Sequence, residues 1–219
     1  MLDTPGIVLS FDDYSKTWHE QLPLLESLAI KATFFITGEF VRERAKAEAR
    51  LLPLIEAGHT LGVHTISHRR ASEMWMREGH AWLESDVLDQ ARILGELSGR
   101  PIRCFAYPYG DHDDATDRIL TSHFQVVRTF GKKPLFSSHQ RLRRGGVTHA
   151  TSIDNVQERG FLWYEEQLAE VKRQSKVWVV ASHHFDDTRW GITPERLVHF
   201  AETAHRLSIP ILTFDNFMA

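Results

Sequence analysis

The chain has one cysteine, Cys104, among its 219 residues, which rules out an internal disulfide and makes that thiol a core residue by default. It lacks a basic excess. Lys and Arg number 26 against 29 Asp and Glu, for a formal net charge of −3. No surplus is left to neutralise a phosphate backbone, and the expectation is no nucleic-acid partner. No apolar run approaches the roughly 20 residues that span a bilayer, so no membrane span is expected. Linker composition, internal repeats and low-complexity stretches are missing too, and the length fits one domain over residues 1–219. The opening Met-Leu-Asp-Thr-Pro-Gly carries no basic region, apolar stretch or cleavage site. Taken as it stands, the sequence reads as cytoplasmic; a chain trimmed from a longer precursor would read as exported.

What is present is an alternation of short β-rich runs with helical spacing. Strands are expected at Ile7–Phe11, Thr33–Ile36, Thr60–His64, Cys104–Tyr107, Phe124–Arg128, Val177–His183 and Ile211–Phe214. Helices are expected near 18–30, 41–57, 82–98, 114–122, 161–175 and 194–208, the last opened by Thr193 as N-cap and Pro194. Parallel neighbours need a crossover, and one helix between successive strands supplies it. Seven such strands point to an α/β barrel, distorted or open. Residues 131–160 are rich in Lys, Arg, Gly and Ser and read as loops around one short strand at Thr148–Ser152.

In such folds chemistry sits at the C-terminal strand ends, and four polar groups fall there. Asp12 and Asp13 follow the first strand; adjacent carboxylates repel unless a cation offsets them, and a divalent metal would do so. The plain alternative is a solvated loop. His64 and His68, four apart, share one side of a helical turn and reach a single ion if that turn forms. With 13 histidines in the chain, an ordinary surface pair fits the spacing as well. Tyr107-Pro108-Tyr109-Gly110 is a turn able to aim a backbone N–H at a developing oxyanion, or simply a turn. His183 and His184 end an apolar strand, where one of them would protonate a leaving amine or sit hydrogen-bonded in the core.

In this order the four segments resemble the polysaccharide deacetylase family, the NodB-homology or carbohydrate esterase 4 group. Ser10-Phe11-Asp12-Asp13, His64 to His68, Ala106 to Gly110 and Ala181-Ser182-His183 carry the resemblance, with Ala29 to Phe35 and Ala57 to His64 in support. It implies a distorted (β/α)7 barrel and a metal-dependent hydrolase that removes an acyl group, N-acetyl first, from an amino sugar or acylated polysaccharide. Asp13, His64 and His68 would hold the ion, Zn2+ ahead of Co2+ or Ni2+. Asp12 would be the base, the Tyr109 N–H the oxyanion donor and His183 the acid. Tyr107, Pro108, Trp190 and Arg144 are the expected substrate contacts, and Trp18 and Trp75 further aromatic candidates.

Three departures stand out. The family's Arg is Ala106 here, with Arg144 or Arg128 as replacements. No Asp-Trp pair supporting the acid histidine is visible in residues 131–160. Ala181 stands where the family has a Leu lining the acyl pocket, so a wider pocket is expected. A second reading on the same fold is a hydrolase of C–N bonds in a small cyclic imide or ureido compound. An iron oxygenase, also built on two His and a carboxylate, is disfavoured by the strand–helix alternation, and a non-catalytic sugar binder by the Asp12–Asp13 pair.

Overall fold

A computed structural model describes residues 4–131, 133–138, 141–142 and 145–218. Among them, nine strands form one sheet: β1 (Gly6–Phe11), β2 (Thr33–Ile36), β3 (Thr60–Val63), β4 (Cys104–Ala106), β5 (Val126–Phe130), β6 (Phe136–Ser137), β7 (Gly146–Ser152), β8 (Val177–Ser182) and β9 (Ile211–Leu212). β1 to β5, β7 and β8 lie side by side in parallel, and β8 pairs with β1 along its whole length to close the ring. Crossover helices cover the outside, among them Arg44–Glu56, Asp89–Ser98, Asp114–His123 and Phe161–Gln174. Pro194–Arg206 follows β8, and Thr193 caps it by accepting from the Arg196 N–H.

Membership of the ring differs from the sequence expectation in one place. Ile211–Leu212 is not a ring strand but pairs with Ile7 and Val8, on the first half of β1. The seventh ring strand is Gly146–Ser152, between β5 and β8. Its polar Thr148, His149, Thr151 and Ser152 hide a strand that faces a barrel rather than a purely apolar core. β1 meets β2 only at Ser10 and Phe11, and β7 meets β8 only at Thr151 and Ser152. Below those contacts β9 and the antiparallel β6 fill the gaps. The barrel is therefore tight at its C-terminal mouth and splayed at its base.

Side chains alternate along each strand with a period of two. Val8, Phe35, Cys104, Ala106, Val126, Ala150, Val179 and Ala181 pack in the barrel. Leu9, Phe34, Val63, Phe105, Val127 and Val180 pack under the helices. Stepping the inward set onward in one or two steps of two residues leads from Val8 to Asp12, from Val126 to Arg128, from Ala150 to Asp154 and from Ala181 to His183. Gly62, also inward, leads to His64. The same alternation that builds the core thus delivers polar groups to the mouth.

Two helical details bear on that mouth. The expected helix 82–98 begins with a π-helical turn, Leu83–Leu88, preceded by a helix at Ala71–Glu78 that the sequence pattern did not reveal. The expected helix 18–30 is split into Thr17–Glu20 and Leu22–Ser27, with Trp18 fully buried. Trp18 is a core residue and donates its Nε1 hydrogen to the His183 carbonyl at 2.6 Å, so it cannot stack on a ligand.

Gly62 shows how full the barrel is. A Cβ there would collide with the Phe35 ring and come within 3.1 Å of Cys104 Sγ. Gly62→Ala is expected to destabilise the protein by about 1–3 kcal/mol through overpacking, read as a lower denaturation midpoint at unchanged slope.

Candidate active site

Asp12 and Asp13 leave β1 together. In extended backbone they would point to opposite faces, but Asp13 has φ 72, a left-handed kink that turns both side chains into one cleft. Thr65, His68 and Tyr109 are also non-glycine residues at positive φ, at 60, 52 and 60. Such conformations cost of order 1–3 kcal/mol each and persist only where surroundings enforce them. Of the eight found among the described residues, Asp13, His68 and Tyr109 line this cleft, and Thr65 lies in the loop between its two histidines.

His64 and His68 are not on a helical turn, contrary to the sequence expectation. Residues 64–70 form an irregular loop, because the kinks at Thr65 and His68 break any helical path. Bonds from outside hold its shape. Asp86, in the π-helical turn, accepts from the Ser67 N–H at 2.7 Å, Ser67 Oγ at 2.6 Å and Trp82 Nε1 at 3.0 Å. Thr37 Oγ1 donates to the Thr65 carbonyl at 2.7 Å, and the His68 N–H donates to Thr65 Oγ1 at 3.0 Å.

The loop brings His64 Nε2 to 3.3 Å and His68 Nε2 to 3.1 Å from Asp13 Oδ1. His64 Nδ1 lies 2.8 Å from the Ala106 carbonyl, which can only accept, so Nδ1 carries a hydrogen and Nε2 is the nitrogen turned toward Asp13. Asp13 Oδ1 is buried without an aligned hydrogen bond. One ligand atom from each of the three residues lies within 4.8 Å of the others. With metal–ligand bonds of about 2.0–2.1 Å, neighbouring ligands of a tetrahedral ion stand about 3.3–3.4 Å apart. The two Asp13 contacts match that edge, and the donor set suits a divalent ion of the zinc type. Burial works against the Asp13 charge, but the His64 and His68 imidazoles outweigh it and hold the carboxyl well below the usual carboxylate range.

Asp12 is fully buried against Arg128, also fully buried, at 2.5 Å between Oδ2 and Nη2. Its Oδ1 has no partner, and the residue lines the cleft. Arg128 stands opposite Ala106 in the β4–β5 register. The cation missing from β4 is therefore supplied by the neighbouring strand. Arg144, the other replacement weighed from sequence, lies outside the described residues.

Across the cleft, His183 Nδ1 is 3.1 Å from Asp154 Oδ2. Asp154 is buried and also accepts from Ser182 Oγ at 2.7 Å and Ser152 Oγ at 2.8 Å. Burial disfavours the charged imidazole, yet the Asp154 hydrogen bond and the carboxylates of Asp12, Asp154 and Asp13 outweigh it and raise His183 to about 9. Asp154 was not singled out from sequence, since no Asp-Trp pair marked it. Its position two residues past Ser152, at the end of an inward strand face, was the available signal.

The remaining expected residues divide. Tyr109 is exposed, borders the cleft and lies tilted against His68 with ring centroids 4.7 Å apart. Trp190 is 48% exposed and meets the His183 ring edge-on at 5.7 Å. His184 also lines the cleft. Tyr107 and Pro108 do not. Both are buried, and Tyr107 faces the helix layer with its hydroxyl on Asp117 at 2.8 Å. Their substrate contact is withdrawn, because the period-two alternation sends Tyr107 outward. Trp75 lies on the outer helix Ala71–Glu78, away from the cleft. Ala181 packs inside the barrel and does not border the cleft. The cleft itself measures about 460 Å³. No helix among the described residues is long and apolar enough to cross a membrane.

Comparison with known proteins agrees with this architecture. A chitooligosaccharide deacetylase of Sinorhizobium fredii is 31% identical over 124 residues, 54% of this chain and 52% of that protein. The chain thus spans about half the length of that relative. A peptidoglycan N-acetylglucosamine deacetylase superposes with a TM-score of 0.68 at 16% identity, over 99% of this chain and 89% of the other. The family 4 carbohydrate esterase of Streptomyces lividans gives 0.64 at 16% identity, over 94% and 90%. At such identities these two establish the shared barrel fold. The polysaccharide deacetylase family model matches residues 2–125; the chain belongs to the polysaccharide deacetylase family.

Proposed function

We propose that this chain is a metal-dependent deacetylase that hydrolyses the N-acetyl group of an amino-sugar residue in a carbohydrate. The observation that carries the reading is the meeting of Asp13, His64 and His68 around one point, beside the Asp12–Arg128 and Asp154–His183 pairs, in a single cleft.

Asp13, His64 and His68 would hold the ion, which when bound would supply Lewis-acid chemistry to the acyl group and the attacking water. The chain's own groups do the rest. Asp12 takes the proton of the attacking water on Oδ1, the oxygen left without a partner. Arg128 holds Oδ2 and so fixes the base in place. Asp154 holds His183 protonated, and the imidazolium gives its proton to the departing amine. The Tyr109 N–H, in the turn at the mouth, is the donor assigned to the acyl oxyanion. Trp190, beside the acid, offers a flat apolar face to the sugar ring.

Metal analysis of the purified chain with acetate assays on chitooligosaccharides tests the whole reading. The wild type is expected to hold near-stoichiometric metal, Zn2+ foremost, and to release acetate; His64→Ala is expected to lose both. Metal with turnover of a cyclic imide or ureido compound, and no acetate, would move the substrate to that class. A protein that takes up no metal from replete buffer would sink the reading.

The Arg128 assignment has its own test. Arg128→Ala should cost about 3–5 kcal/mol of stability, by leaving Asp12 buried and unpaired, and lower kcat about a hundredfold. Because Ala106 faces Arg128 in register, the double variant Ala106→Arg/Arg128→Ala should recover part of that activity. A double variant no better than the single one removes the argument.

Protonated His183 is the working form, so activity should hold up to about pH 9 and fall above it. Asp154→Asn should move that alkaline limb down toward the ordinary histidine value of 6.5. The same raised pKa adds stability that is fully present below about 6.5 and lost as pH rises through about 9. An alkaline limb that stays put in Asp154→Asn would assign the acid to another group.

A further inference from the structure

The residue after Asp154 makes contacts that the reaction chemistry leaves unexplained. Asn155 Nδ2 donates to the carbonyls of Asp186 at 3.0 Å and Thr188 at 2.9 Å. Its backbone N–H donates to the Gly191 carbonyl at 2.7 Å, and the next N–H, of Val156, to Arg189 at 2.8 Å. These four bonds all land on the loop between His184 and Ile192. The loop also closes on itself, from the His184 N–H to the Trp190 carbonyl at 3.1 Å and from the Ile192 N–H to the His184 carbonyl at 2.8 Å. Gly191 lies so close to Asp186 that any Cβ would strike its carboxylate and carbonyl. Arg196 Nη1, from the helix behind, donates to Asn155 Oδ1 at 2.8 Å and sets the orientation of the amide.

One exposed aromatic rides on this clamped loop. Trp190 stands over the cleft edge-on to His183, with the Arg189 guanidinium 5.2 Å from its ring centroid. A large half-exposed indole on a loop loses freedom when a ligand packs on it, unless the loop is already fixed. Here it is fixed from one point. Asp154 orients His183 and Asn155 orients the Trp190 loop, so two consecutive residues set the acid and the adjacent aromatic wall.

We propose that Asn155 is a positioning residue for a sugar subsite built on Trp190, which takes the face of the pyranose ring whose amine His183 protonates. The subsite rests on the deacetylase reading for the identity of its sugar, while its contacts are those of this loop. An amide at position 155 suits the task because only an uncharged –NH2 can donate to two carbonyls while its oxygen accepts from an arginine. Asn155→Asp keeps the shape and the acceptor but removes both donors.

The test is a binding cycle on the full chain, with chitotetraose as probe and calorimetry as readout, alongside KM and kcat for acetate release. Trp190→Ala and Asn155→Asp are each expected to weaken binding about tenfold. The Asn155→Asp loss should fall on KM, with the alkaline limb set by Asp154 and His183 unmoved. Because Asn155 acts through Trp190, Asn155→Asp should add nothing in a Trp190→Ala background. Gly191→Ala displaces the loop from its other end and should show the same dependence on Trp190, which covers an Asn155→Asp protein that fails to fold. Chitotetraose binding without acetate release would leave the subsite standing and overturn the reaction assigned to it. Unchanged affinity in Asn155→Asp, a further loss on top of Trp190→Ala, or no binding by the wild type would each overturn the proposal.

Discussion

Pairing of β8 with β1 is the contact on which the rest of this molecule depends. Its register runs without interruption from Gly6 with Val177 to Phe11 with Ser182, and the Asp12 N–H extends it by donating to the Ser182 carbonyl at 2.9 Å. Closure forces both strands to keep one face inward for their whole length. It also brings the first and last ring strands, about 170 residues apart in sequence, to the same height at the mouth. Asp12 and Asp13 on one side and His183 on the other are neighbours for this reason. The base is splayed and filled by β6 and β9, away from the end where the polar groups gather.

Concentrating acids there creates the second constraint. Asp12, Asp13 and Asp154 border one cleft, and like charges at such range disfavour one another's ionisation. Each carboxylate has its own compensating partner: Arg128 for Asp12, the two imidazoles for Asp13, and His183 for Asp154. The partners differ in kind, and that separates the roles. A guanidinium is permanently charged and fixes Asp12 in place without competing for protons. The His64 imidazole, its Nδ1 hydrogen tied to a carbonyl, presents Nε2 to Asp13 and the cleft. An imidazole between carboxylates is held protonated, which suits an acid.

Much of this was legible in the sequence, and the reasons for success and failure are physical. The ring strands with unbroken apolar character, Ile7–Phe11 and Val177 onward, announce themselves, and so do the polar residues that end them. Gly146–Ser152 was undervalued because its inward side chains are small or hydroxylated, as a strand near a polar mouth requires; Ile211–Leu212 was overvalued because apolar character does not reveal ring membership. The His64–His68 spacing suggested a helix, yet the pair meets through positive φ at Thr65 and His68. Spacing in sequence says little about such strain, since the bonds that sustain it come from Asp86 and Thr37, far along the chain. Asp154 has no flanking motif to mark it, and Tyr107 follows the strand alternation outward to the helix layer.

Arg128 shows what that alternation is worth as an argument. A cation is needed where Asp12 is buried, and position alone does not say which strand must supply it. Ala106 and Arg128 are register partners on adjacent strands with their side chains on the same inward face, so a long side chain from either can reach the space beside Asp12. Moving the charge from one to the other leaves a small residue behind at 106. That places only a methyl group next to the carbonyl that fixes His64 Nδ1. It also seats the guanidinium within 5.0 Å of the Phe35 ring centroid and 4.6 Å of that of Phe130, aromatic faces that favour a cation in a dry setting. Local motif matching reads Ala106 as a loss. The geometry of the sheet reads it as half of an exchange, in which the function of a side chain is kept by its place in the barrel rather than by its place in the sequence.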